Sequence, residues 1–435
     1  MTTIDMIVTP AVGLIDEPLH ILVRNLPPLA EVTIRASLRD DRGTPWNSSA
    51  IYQADARGTI DLSRIAPISG SYAGVNEDGL IASLRPAIDL PVRTFDNSSI
   101  APLLVEFIAE AGGREVARAA AHRLYVAAGV QVTTLREHGL SGLFFQQSAS
   151  VTRPGILVLG GSSGKLAFAS QVAALLAAHG FPSLALAYFG VEGLPPDLVE
   201  IPVEYFSAAT KWLTSRRCVS SEGLGVIGRS RGAELALLLG SRFPQIRSVV
   251  ACCPSSIVWN GLRGNRLTDS PAWRSSDREI PFASLTSARL ADLRSRTFQA
   301  SPVTLTPLFE AALNGPILEE AIIPVEQING PILLISGDDD RMWPSARMGD
   351  QIVERLAARR HRFPVVHRRY AKAGHLMRTP GVPTTVLHNT FEYGGEPSAQ
   401  AAANRAAWDE TIAFFRASLC LHSPAAEPAA SGARR

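Results

Sequence analysis

Two rhythms in this 435-residue sequence predict a two-part fold. An all-β sandwich is expected over residues 1–128, followed by a doubly wound, mostly parallel α/β sheet over 135–421. Three observations carry the prediction. Short strands punctuated by turn clusters fill the first part, and continuous apolar runs alternate with helical stretches in the second. A strand–turn–helix passage at Gly228-Arg-Ser-Arg-Gly232 anchors the second part. The length alone exceeds what one ordinary core accommodates, so two domains are the natural reading.

In the first part, Leu19-His-Ile-Leu-Val-Arg24, Glu31-Val-Thr-Ile-Arg-Ala-Ser-Leu38 and Leu103-Leu-Val-Glu-Phe-Ile-Ala-Glu110 carry β-branched residues and partial alternation. Asp40-Asp-Arg-Gly43 and Glu110-Ala-Gly-Gly113 supply turns between such runs, the pattern of an antiparallel sandwich. No Ser/His/Asp set is evident there, so a structural or gating part is expected.

In the second part, Gly155-Ile-Leu-Val-Leu-Gly160 is a strand buried on both faces, and a helix follows over 170–179. A strand at Ser183-Leu-Ala-Leu-Ala-Tyr188, a helix over 203–213 and a strand over 224–227 continue the alternation. Ser248-Val-Val-Ala-Cys-Cys253 and Ile332-Leu-Leu-Ile-Ser336 read as later strands. Apolar strands alternating with helices mean a parallel sheet covered on both sides. Between about 255 and 328 the alternation dissolves, as expected of a lid or substrate-facing insertion. The stretch 422–435 is low-complexity and reads as disordered.

Hydrophobic residues at 46% and charged residues at 19% suit a globular protein, and a net charge of +2 points to neither nucleic acid nor an anionic membrane. The four cysteines show no C-x-x-C spacing. Cys252 and Cys253 read as buried small hydrophobes. Met1 to Met6 carry neither a basic region nor an apolar stretch, so no secretory signal is expected, and no run is long enough for a membrane span. A cytoplasmic, thiol-reducing setting is the expectation. Oligomeric state stays open.

The chemistry is written around Ser230. Gly228-x-Ser230-x-Gly232, with a strand before it and a helix after it, is a nucleophile elbow: small residues two positions either side tolerate a tight turn. The helix N-terminus then turns its dipole and free N–H groups toward the reacting atoms. A serine hydroxyl needs a base, and the base needs an orienting carboxylate. In α/β-hydrolases the order is Ser, acid, His. After the 332–336 strand comes Gly337-Asp338-Asp339-Asp340, at the carboxyl end where such sheets keep their chemistry. Asp340 is preferred, because the turn must curl before a side chain can face the histidine; Asp339 is the runner-up. Among nine histidines, His375 follows a strand-like stretch and two small residues, Ala373 and Gly374, whereas His361 and His367 lie among arginines and read as surface. The oxyanion of a tetrahedral intermediate needs N–H donors. Arg231, directly after the serine, should give one, and the loop Gly160-Gly-Ser-Ser-Gly164 the other, at Gly161 and Ser162. That loop lacks the Lys-Ser/Thr ending of a phosphate-binding P-loop. No metal-ligand cluster is visible, and neither metal nor cofactor is expected.

Taken together, Ala36-Ser-Leu-Arg-Asp-Asp41, Gly70-Ser-Tyr-Ala-Gly74, Leu184-Ala-Leu-Ala-Tyr188, Val203-Glu-Tyr-Phe206, Ser230-Arg-Gly-Ala-Glu234, Gly337-Asp-Asp-Asp340, Ala373-Gly-His375 and Tyr393-Gly-Gly-Glu-Pro397 resemble the acyl-CoA thioesterase and bile acid-CoA:amino acid N-acyltransferase family over nearly the whole chain. The resemblance implies an immunoglobulin-like sandwich joined to an α/β-hydrolase, with Ser230, Asp340 and His375 as the triad. It also implies an acyl-CoA or acyl-carrier thioester as substrate. Two departures stand out: Arg231 occupies a position where family members commonly carry lysine, and the basic coenzyme A segment of mammalian members has no clear counterpart. In the family, amine-conjugating members generally use cysteine and hydrolytic ones serine, so Ser230 favours hydrolysis. The alternatives are transfer to an amine or alcohol, hydrolysis of oxygen esters as in carboxylesterases and dienelactone hydrolases, and a scaffold that binds without reacting.

Overall fold

Strand Glu31–Arg39 buries every second side chain, and Pro45–Gln53 beside it does the same, as a sheet with one face inward requires. These two lie inside a sheet ordered Val12–Leu14, Arg114–Leu124, Leu103–Ala111, Glu31–Arg39, Pro45–Gln53, Ser69–Gly70, with Arg85–Pro86 also paired to Pro45–Gln53. A smaller sheet of Asp5–Thr9, His20–Arg24 and Ile60–Asp61 completes the all-β part. Trp46, Tyr52 and Phe107 are fully buried in its core. This is a computed structural model, and it describes residues 3–87, 92–147, 152–164, 166–276, 278–388 and 390–419. The 422–435 stretch and Cys420 lie outside the described residues.

The second part is built on eight strands: β1 (Val130–Glu137), β2 (Leu140–Gln147), β3 (Arg153–Leu159), β4 (Ser183–Ala187), β5 (Val219–Arg229), β6 (Ile246–Cys252), β7 (Ile332–Gly337) and β8 (Val365–Tyr370). Their order across the sheet is β1-β2-β4-β3-β5-β6-β7-β8. The β1–β2 and β2–β4 pairs are antiparallel and the rest parallel. Every residue of β4 and β7 is buried, which explains their unbroken apolar sequences. Helices Ala167–Ala178, Val203–Thr214, Arg231–Arg242, Ser345–Ala358 and Pro397–Leu419 cover the sheet.

Two features differ from the sequence reading. The sheet begins at Val130, ahead of residue 135, because β1 is an edge strand whose only buried side chain, Leu135, leaves no alternation to read. The 255–328 stretch, expected as a lid or substrate-facing insertion, carries a hairpin of Asn260–Arg263 and Arg266–Pro271 and helices Ala291–Gln299 and Thr306–Leu313. Its apolar cluster joins Trp259, Leu308 and Phe309 to Trp343 and Met348. His367 is not a surface residue: its side chain is only 7% exposed, held between Ser336 and Asp350.

The two parts share one apolar cluster running from the sandwich core into helices Ala167–Ala178 and Pro397–Leu419. Polar contacts reinforce it. His179 Nε2 lies 2.6 Å from the buried Asp16 carboxylate, and Trp408 Nε1 donates to it at 2.8 Å. Arg405 pairs with Asp78, and Val92–Thr94 pairs antiparallel with Val386–His388. No helix among the described residues is long and apolar enough to cross a membrane.

Candidate active site

β5 ends at Arg229, and the chain turns at Ser230 with φ +58° and ψ −122° before entering helix Arg231–Arg242. A non-glycine residue at that φ is strained, and surrounding contacts must hold it. Ser230 N–H donates to the Cys252 carbonyl at 2.9 Å, fixing the elbow to β6. A Cβ on Gly228 would lie 1.9 Å from the Gly232 carbonyl oxygen, and one on Gly232 would lie 2.2 Å from that of Gly160. Strand and helix therefore approach more closely at the elbow than any side chain allows.

His375 Nε2 stands 3.0 Å from Ser230 Oγ, and His375 Nδ1 stands 2.9 and 3.0 Å from the two Asp340 carboxylate oxygens. Both His375 and Asp340 are buried. Asp340 is itself held: Ser345 Oγ donates to Oδ2 at 2.6 Å, and the N–H groups of Met342 and Trp343 donate to Oδ1 at 3.0 and 3.2 Å. These donors offset the desolvation of a buried carboxylate. The other two acids face elsewhere. Asp338 pairs with Arg369, while Asp339 pairs with Arg341 and accepts from Gly395 N–H at 2.8 Å. Asp339 thus holds the Tyr393–Gly395 loop, whose Tyr393 carbonyl accepts the His375 N–H at 2.8 Å. Trp343 meets the His375 ring edge-on and Tyr393 stacks on it.

Arg231 is the first residue of its helix, so no carbonyl within the helix accepts its N–H. A Cβ on Gly161 would lie 3.4 Å from Ser230 Cβ, which puts the Gly161 backbone against the serine, and Ser162 lines the same cavity. The Arg231 side chain turns away and is buried. It pairs with Glu234 at 2.6 Å and donates to the Trp259 and Asn260 carbonyls. Glu234 also accepts from Trp273 Nε1 at 2.7 Å. Burial pushes its carboxyl up to about 7, against the pull of Arg231. This pair ties the helix behind the serine to the 255–328 stretch.

That stretch roofs a cavity of about 230 Å³ with Ser230, Arg231 and His375 on its wall. Leu262, Leu285, Phe298, Leu308, Phe309 and Trp343 supply its apolar lining. Among the described residues one group of three potential metal ligands occurs, Cys253 with Asp340 and His375. The His375 and Asp340 atoms already bond to each other, and the Cys253 thiol donates to the His375 carbonyl. Burial pushes that thiol well above its ordinary range, so the group is a hydrogen-bonded cluster without a thiolate to offer. The buried, unpaired Cys218, Cys252 and Cys253 show no reactive environment.

Sequence reasoning missed Ser345, the Met342 and Trp343 N–H donors, and the Arg231–Glu234 pair. For the first three a signal was present, since an acid followed by a turn and a helix start at Pro344-Ser345 offers donors to it.

A family model described as "BAAT / Acyl-CoA thioester hydrolase C terminal" matches residues 201–420, and one described as "Acyl-CoA thioester hydrolase/BAAT N-terminal region" matches residues 16–137. The chain is 30% identical over 412 residues to the peroxisomal succinyl-coenzyme A thioesterase of Mus musculus, covering 92% of this chain and 93% of that protein. It is 32% identical over 419 residues to the mitochondrial acyl-coenzyme A thioesterase 2 of Mus musculus, covering 93% and 87%. It is 30% identical over 418 residues to acyl-coenzyme A thioesterase 1 of Homo sapiens, covering 94% of each. With both family regions present in order and the similarity running nearly end to end, the chain belongs to the acyl-CoA thioester hydrolase/BAAT family.

Proposed function

We propose that this protein hydrolyses acyl-CoA thioesters through an acyl-enzyme on Ser230. The observation that carries the reading is the continuous hydrogen-bonded series Ser230–His375–Asp340 at the wall of an apolar cavity. His375 Nε2 takes the Ser230 proton as Oγ attacks the thioester carbonyl carbon, and Asp340 holds the Nδ1 proton and stabilises the imidazolium. The oxyanion is received by the Arg231 N–H and the backbone at Gly161 and Ser162. Collapse breaks the carbon–sulfur bond, and the thiol leaves with the proton from His375. Water, deprotonated by His375, then attacks the serine ester and releases the acid. The acyl chain lies in the cavity under the 255–328 stretch.

The reading extends to a cytoplasmic location, supported by three buried cysteines without disulfides, and to two structural units, the sandwich over 1–128 and the α/β part that opens at Val130. The test is release of free thiol from a series of acyl-CoA substrates, with matched p-nitrophenyl esters and with glycine or taurine added. Hydrolysis that Ser230→Ala abolishes, and a fluorophosphonate label on Ser230, are the expected results. Preferred turnover of oxygen esters, or amide as the main product, would replace the reading with one of the alternatives.

A further inference from the structure

A second cavity, of about 340 Å³, lies between the sandwich and the α/β part, on the other side of the elbow. Ser163 and Tyr393 line both cavities, so the two adjoin there, with Ser230 on the wall of the apolar one. Their chemistry differs. The second holds two part-exposed arginines, Arg229 and Arg378, that have no carboxylate partner among the described residues. Arg229 rests its guanidinium over the Phe168 ring at 4.2 Å and donates to the Met377 carbonyl at 3.3 Å. The two acids on the wall are otherwise engaged. Asp96 pairs with Arg42, and Asp40 accepts from Trp46 Nε1 and from the Arg42 and Thr44 N–H groups. On the same wall, Thr94 Oγ1 and Asn97 Oδ1 are buried without a hydrogen-bond partner among the described residues.

Two largely buried cations lining one cavity repel each other unless something neutralises them. Burial, and then the charge of Arg229, push Arg378 down to about 10. Guanidinium groups form paired hydrogen bonds to planar and tetrahedral oxyanions, and an unpaired hydroxyl adds a donor. We infer that the Arg229–Arg378 cavity binds an oxyanion carried by the substrate, a phosphate or a carboxylate, while the apolar cavity takes the uncharged acyl chain. The inference rests on the proposed thioester reading for its substrate. A thioester has two arms; the serine lines the apolar cavity, and Arg229, its neighbour in sequence, lines the cationic one. The anion comes either from phosphate on the thiol-bearing arm or from a carboxylate ending the acyl arm.

The experiment compares kcat/KM ratios in wild type, Arg378→Gln and Arg378→Lys. One ratio sets butyryl-CoA against the butyryl thioester of N-acetylcysteamine, which has no phosphate. The other sets succinyl-CoA against butyryl-CoA. Loss of about tenfold or more from the first ratio in Arg378→Gln, largely restored in Arg378→Lys, assigns the site to carrier phosphate. The same loss in the second ratio assigns it to an acyl carboxylate. Both ratios within about twofold of wild type would overturn the inference. Calorimetric titration with inorganic pyrophosphate gives a reading independent of turnover and of whether the variant folds. Binding to wild type is expected at millimolar concentration for pyrophosphate or, in a parallel titration, for succinate, and absence of both overturns the site. Pyrophosphate binding in a protein that cleaves no thioester would uphold the anion site and discard the proposed function.

Discussion

Replacing Asp340 with asparagine keeps the shape of the acid and removes its charge, and the hydrogen bonds around it say which proton then goes astray. Asp340 accepts four donors: Ser345 Oγ and His375 Nδ1, with the Met342 and Trp343 N–H groups. Asparagine has one acceptor oxygen. The two N–H groups and the turn they close hold that oxygen at the Oδ1 position, so the amide N–H₂ faces Ser345 and His375. A donor facing Nδ1 forces the imidazole proton onto Nε2, where it meets Ser230 Oγ and cannot accept the serine proton. The expected loss in kcat is about ten-thousandfold, equivalent to ~5.5 kcal/mol. The assay is thiol release from an acyl-CoA at saturating substrate, with a urea melt on the same preparation. Asp339→Asn should lose less, through a loosened Tyr393–Gly395 loop, and Asp338→Asn should be near neutral, since that acid forms only an exposed pair with Arg369. Folded Asp340→Asn with kcat within tenfold of wild type, or Asp339→Asn as the more damaging change, would refute the reasoning.

Ser230→Cys should slow hydrolysis and raise the amide-to-acid product ratio when glycine or taurine is present, because a thioester acyl-enzyme favours amines over water more than an oxygen ester does; product analysis by mass spectrometry reads the ratio. Glu234→Gln sets an amide N–H₂ where Arg231 or Trp273 needs an acceptor and should destabilise the fold by about 1–3 kcal/mol in denaturant titration. Burial raises Glu234 to about 7, from an ordinary 4.5, so the folded state binds more protons than the unfolded state between those values. The stability this group contributes is therefore full below about pH 4.5 and falls as pH rises through about 7, a slope that melts of Glu234→Gln should lack. Gly228→Ala sets a methyl 1.9 Å from the Gly232 carbonyl oxygen and should cost about 1–3 kcal/mol while displacing Ser230, seen as lost fluorophosphonate labelling.

How legible each piece was follows from the range of the forces behind it. The elbow could be read because its constraints are local: Gly228, Ser230 and Gly232 lie within five residues. Asp340 could be located because it follows the apolar strand at 332–336, and His375 because it follows a strand-like stretch and two small residues, Ala373 and Gly374. What encloses them was not legible. Ser345 reaches Asp340 across a turn, Arg231 finds Glu234 one helical turn away, but Arg231 reaches Trp259 and Glu234 reaches Trp273 only through the fold, and Phe309 meets Trp343 across the second part. Helix Pro397–Leu419 escaped notice for a different reason: its many alanines favour a helix but give little contrast between faces. Arg229 hid in plain view, since inside G-x-S-x-G it occupies a position that the elbow leaves unspecified.

The apolar cluster that runs from the sandwich into the α/β part has a consequence for how the protein comes apart. Met6, Ile21 and Phe107 of the sandwich belong to the same buried group as Leu175, Trp408 and Phe415 of the sheet-covering helices. Neither half can melt without baring apolar surface of the other, so free energy is not divisible between them. Calorimetry should record one endotherm, with calorimetric and van't Hoff enthalpies in agreement, instead of two separable peaks. A substitution at the Asp16 contact would then lower the melting temperature of the whole chain, and a far-off sandwich residue would govern how long Ser230 stays armed when the protein is heated.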